Sequence, residues 1–120
     1  MKLGKKISGG KYIKRRKTKS YERIGQRKTT KLGDEKRKSI RIRGGNQKTF
    51  LLRGKFVNVI SKDKKNKKVE IQNVLKTPSN RFLARQNILT KGTIVKTELG
   101  EVKITNRPTQ EGNINGVLTA

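Results

Sequence analysis

The chain has 120 residues, room for one domain and not for two. Lys and Arg number 33 against 8 acids, a net charge of +25, and only 29% of residues are hydrophobic, so the whole length cannot share one core. Such a charge calls for a polyanionic partner, and the absence of Cys and His removes disulfides, thiolate metal sites and the commonest general base.

Residues 1–35 read as a basic extension. KRRK stands at Lys14, Arg15, Arg16 and Lys17, followed by Lys19, Arg23, Arg27, Lys28 and Lys31. The few apolar residues (Leu3, Ile7, Ile13, Ile24, Leu32) keep no period of 2 or 3.6. Burying them cannot offset backbone ordering at about 1–2 kcal/mol per residue. The extension is therefore expected to be disordered alone and to order on its partner. KRRK also matches a nuclear localisation pattern, a nonspecific one. No apolar run follows the first lysines, so no secretory signal is expected. No stretch approaches 18 apolar residues, so no membrane partner is expected.

From residue 36 the charge thins and strand patterns follow one another. Residues 36–53 read KRKSIRIRGGNQKTFLLR. In residues 39–43 Ile40 and Ile42 alternate with Arg41 and Arg43, as in a half-buried strand with Ile inward and Arg outward. Gly44-Gly45-Asn46 tolerates the positive φ of a tight turn, and a second strand returns through Phe50, Leu51 and Leu52. The expected unit is a hairpin carrying a row of guanidinium groups.

Residues 56–60 (FVNVI) form the next strand and residues 63–68 (DKKNKK) a polar loop. In residues 69–75, Val69 and Ile71 point in and Glu70 and Gln72 out; Pro78 then ends the sheet. Ser79 is placed to cap a helical turn over residues 81–85. Residues 93–98 and 101–106 flank Leu99-Gly100; a two-residue connection there pairs Val95 with Ile104 and Thr97 with Val102. Residues 114–118 supply a last strand. Six or seven short strands indicate an all-β fold, a small barrel or sandwich.

No catalytic constellation is present. Gly10-Lys11 is followed by Tyr12, and the upstream glycine of a phosphate-binding loop is replaced by Lys5. Glu98 and Glu101 are the nearest carboxylate pair; they could hold Mg²⁺, but Lys96 and Lys103 neutralise them more simply. Phe50 and Phe56 read as core, and Tyr12 and Tyr21 make no stacking platform of the kind single-strand binders use. Arg41 and Arg43 with their Gly-Gly-Asn turn suit phosphate, since guanidinium forks match its oxygens and glycines let backbone N–H groups approach. Folded RNA, recognised by backbone and shape, fits better than base-by-base reading. DNA compaction is the competing use of such a charge.

Four segments carry a resemblance: ISGGKYIKRRK (7–17), TKLGDEKRKSIRIRGGNQK (30–48), NILTKG (87–92) and ELGEVKITNRPTQEGNINGVL (98–118). Together, and in this order, they resemble the S8e family of small-subunit ribosomal proteins, in its short archaeal form. The resemblance implies a β-barrel, residues 36–120, with a basic extension, residues 1–35, embedded in rRNA. It also implies a cytoplasmic, ribosome-bound monomer with neighbouring ribosomal proteins as partners, no cofactor, no metal and no small-molecule substrate. It places RNA contacts on Arg15, Arg16, Arg37, Arg41, Arg43, Asn46 and Lys48. Together with the basic run and the hairpin, the expected RNA-binding set is Lys14, Arg15, Arg16, Lys17, Arg23, Arg37, Arg41, Arg43, Gly44, Gly45, Asn46, Lys48 and Arg53. Two positions depart from the family pattern: Thr49-Phe50 replaces more basic residues, and Gly116 stands where Ala is usual.

Overall fold

Alternation of apolar and polar residues builds a barrel from the second half of the chain. The computed structural model describes residues 4–13, 16–61 and 65–119. Among them the strands are β1 (Thr30–Leu32), β2 (Lys36–Arg41), β3 (Gln47–Gly54), β4 (Phe56–Ile60), β5 (Asn66–Lys76), β6 (Ile88–Leu89), β7 (Ile94–Thr97), β8 (Gly100–Ile104) and β9 (Asn115–Leu118). Helix α1 (Arg81–Arg85) precedes β6 and α2 (Pro108–Glu111) precedes β9. The fold is all-β: β4, β5, β7, β8 and β9 close into a barrel, and β2, β3, β1 and β6 lie side by side in a second sheet. The strands beyond the six or seven expected are short, β1 and β6 having three and two residues.

Val57, Val59, Val69, Ile71, Val74, Val95, Val102 and Ile104 fill the barrel, joined by Leu51, Leu89 and Ile114. Each such side chain contributes roughly 1.5–3 kcal/mol when fully buried. Val69 and Ile71 point inward as expected, but a register irregularity between Ile71 and Asn73 then shifts the phase, so Val74 is buried and Leu75 exposed. The barrel is closed by a parallel pair, β4 with β9 (Asn58 opposite Asn115, Val59 opposite Gly116). Gly116 fits a tight place. A Cβ there would overlap Val102 and lie 3.1 Å from the Lys103 carbonyl oxygen.

Several expectations are corrected. The β7–β8 hairpin pairs Val95 with Val102 and Thr97 with Gly100, so Glu98-Leu99 forms the connection. Gly100 opens β8 at φ +117, which glycine adopts without the strain a side chain would add, and the Thr97 hydroxyl donates to its carbonyl at 2.8 Å. Asn80, not Ser79, caps α1: its Oδ1 accepts from the Phe82 N–H at 2.9 Å. Of the expected loop 63–68, residues 66–68 already belong to β5, and 63–64 lie outside the described residues. Helix α2 is an addition to the expected elements, although Pro108 at its start and left-handed Gly112 after it are ordinary helix boundaries.

β1 comes from the stretch read as extension. Thr30 is fully buried and its hydroxyl donates to the Leu51 carbonyl at 2.7 Å. Leu32 N–H donates to the carbonyl of Asn87, two residues past α1. β1 thus ties the start of the chain to β3 in parallel and to β6 antiparallel.

Candidate nucleic-acid interface

The hairpin of β2 and β3 is present, in the second sheet. Its register sets Arg37 opposite Leu51, Lys38 opposite Phe50, Ser39 opposite Thr49, Ile40 opposite Lys48 and Arg41 opposite Gln47. Directly paired residues share a face. The side carrying Arg37 and Arg41 is therefore the one continuous with Leu51 and the barrel core. The side carrying Ile40 is the outer one. This reverses the expected orientation. Ile40 is only half-buried and Ile42, beyond the end of β2, is exposed. The reason is length: the hairpin runs past the barrel, so its distal half has no core on either side.

At the tip, residues 43–45 make one tight turn with Gly44 at φ +75 and Gly45 at φ +81. The turn is closed by Ile42 N–H donating to the Asn46 carbonyl at 2.7 Å. A Cβ on Gly45 would sit 3.8 Å from the Arg41 guanidinium. Arg41, Arg43, Gly44, Gly45 and Asn46 thus converge on one exposed loop. Among the described residues, neither Arg41 nor Arg43 has an acidic ion-pair partner.

The other expected cations divide. Lys14 and Arg15 lie outside the described residues. Lys17 and Arg23 are exposed. Arg16 grips Glu22 with both guanidinium nitrogens, at 2.8 and 2.5 Å. That bond holds Arg16 above its ordinary pKa and Glu22 below its own, with the Lys19 N–H also lowering Glu22. Arg37 pairs with Glu35 at 2.5 Å. Lys48 is half-buried with its ammonium 5.6 Å from the Phe50 ring centre, and Arg53 is exposed at the proximal end of β3.

Residues outside the expected RNA-binding set also shape this surface. Lys28 places its ammonium 3.3 Å from the Phe50 ring centre, covering the outer side of the sheet. Phe56, expected in the core, is 42% exposed on the barrel's outer wall, with Lys68 over its ring at 4.7 Å. The alternation carries the signal for this: with Val57 and Val59 inward, Phe56, Asn58 and Ile60 must point out. Lys55 pairs with Glu70 at 2.7 Å, and that hydrogen bond raises its pKa. Among the described residues, no three potential metal ligands cluster, and no helix is long and apolar enough to cross a membrane.

Comparison with known proteins gives a consistent result. Residues 2–119 match the family profile described as ribosomal protein S8e. A protein of Nanoarchaeum equitans named small ribosomal subunit protein eS8 is 50% identical, over 93% of this chain and 89% of its own. Proteins of the same name from Staphylothermus marinus and Ignicoccus hospitalis are 48% and 46% identical, each over 95% of this chain and about nine-tenths of their own length.

Proposed function

The chain belongs to the ribosomal protein S8e family, and from that premise we propose that it is a structural constituent of the small ribosomal subunit that holds folded rRNA through phosphate and shape contacts. It is not an enzyme, and its place is in cytoplasmic ribosomes; we read it there as a monomer among neighbouring ribosomal proteins. The observation that carries the RNA reading is the hairpin tip. Two exposed guanidinium groups, unpaired with acids among the described residues, flank a left-handed Gly-Gly turn whose backbone an anion can approach closely. The basic residues ahead of β1 add further cations for phosphates, each displacing counterions as it binds.

Salt-washed native ribosomes test the reading. Co-sedimentation with mature small subunits after the wash is expected; release to the supernatant would favour a transient assembly role. In competition, structured small-subunit rRNA should displace duplex DNA of equal phosphate count, because 2′-hydroxyls and irregular shape add contacts beyond charge. Equal competition would point to a DNA-binding protein.

A further inference from the structure

Where the second sheet meets the barrel, a cleft of about 310 Å³ opens beside Phe56. Its floor is apolar, made by Leu51, Gly54 and Ile114. Glycine leaves the floor open: a Cβ on Gly54 would lie 2.9 Å from Leu51 Cδ2 and 3.0 Å from Ile114 Cδ1, so a larger residue would have to displace those side chains. Phe56 forms one wall, with ring surface exposed even while Lys68 covers part of it. Arg37, Lys55 and Lys68 stand at the rim, and Asn58 and Asn113 bring amides. The Asn58 amide is steadied by donating to Asn115 Oδ1 at 3.2 Å.

We infer that this cleft receives an unpaired RNA nucleotide, its base stacked on Phe56 and its phosphate held by Arg37, Lys55 and Lys68. The inference rests on the RNA-binding reading above and adds to it a second contact, one that distinguishes unpaired from paired RNA. Three features choose this occupant. An aromatic ring on an outer sheet face stacks on any base. Cations around the ring meet the adjoining phosphate, which the apolar floor alone would repel. In the free chain Glu35 and Glu70 pair with Arg37 and Lys55, and the phosphate competes with those carboxylates for the same donors. Amides on the wall offer both donors and acceptors to a base edge.

The test uses the full chain with two probes: a short single-stranded RNA and a blunt RNA duplex of equal phosphate number. Phe56→Leu keeps the apolar volume and removes the π face; Phe56→Tyr restores it. Phe56→Leu is expected to weaken single-strand binding on the order of tenfold, spare the duplex and leave the salt slope unchanged, since every phosphate keeps its cation. Phe56→Tyr should bind as the parent does. Melting curves of both variants should match the parent, because the ring is already partly in solvent. Unchanged single-strand affinity in Phe56→Leu overturns the inference, as does an equal loss on both probes. With parental binding intact, such a result leaves the ribosomal reading standing. Failure of the parent to bind either RNA overturns both.

Discussion

The Lys28 ammonium sits 3.3 Å from the centre of the Phe50 ring. This contact joins the basic stretch to the outer side of the second sheet, where Phe50 is otherwise a large apolar ring with no barrel beneath it. Lys28 and Phe50 are thereby structural partners, although both belong to segments rich in positive charge. Lys28→Met keeps the aliphatic cover and removes the cation. It should lower stability by about 0.5–1 kcal/mol, the worth of an exposed cation–π pair, while Lys28→Arg should not. Denaturant unfolding of the free protein measures both.

The hairpin tip and the barrel respond oppositely to substitution. Ile42 is exposed, so Ile42→Glu should leave the melting temperature within a few degrees. Ile104 is fully buried, and Ile104→Ala should cost about 2–5 kcal/mol. Arg41→Glu with Arg43→Glu should preserve the fold and abolish high-affinity rRNA binding, since attraction at two phosphates becomes repulsion. Circular dichroism and filter binding on the same samples separate the effects.

Two truncations locate the edge of the folded unit. Removing residues 1–26 should leave melting unchanged and make the salt dependence of RNA binding shallower, by roughly 0.7–0.9 in log–log slope for each phosphate no longer neutralised. Removing residues 1–35 also strips β1, with the Thr30–Leu51 hydrogen bond and the parallel pairing to β3. It should lower the melting temperature sharply. An unchanged salt slope in the shorter deletion would show that those residues do not touch phosphate.

Gly116→Ala should destabilise the barrel by about 1–3 kcal/mol, the usual cost of overfilling a packed site, because the added methyl overlaps Val102. Combining it with Val102→Ala should recover part of the loss. Chemical denaturation of the two single variants and the double variant gives the coupling directly.

The barrel is legible in the chain where alternation is long and the inner face continuous. Val57 and Val59 mark β4 within its observed bounds, and Val69 with Ile71 marks the first part of β5. Other features carry no local signal. Parallel pairing of β1 with β3, and of β4 with β9, joins segments far apart, and three residues of β1 are too few to show a period. The Ile40/Ile42 alternation is real, but a strand projecting past its core exposes both faces, so alternation there does not say which way is in. Phe50 and Leu51 are neighbours buried on opposite faces, one under lysines and one in the barrel. Of the candidate site, the tip of Arg41, Arg43 and the two glycines is readable from residue chemistry. The neutralisation of Arg16 by Glu22 and Arg37 by Glu35 is not, because it depends on where each guanidinium comes to rest.

Closing the barrel through β4 and β9 also orders events in time. Residues 58–60 must wait for residues 115–117 before they are paired on both sides. Until then β4 presents an open edge, and contacts of such long sequence separation form slowly. The lysine- and arginine-rich stretch ahead of β1 is synthesised first and needs no barrel to be charged, so its cations are in place while the domain behind it is still unfinished.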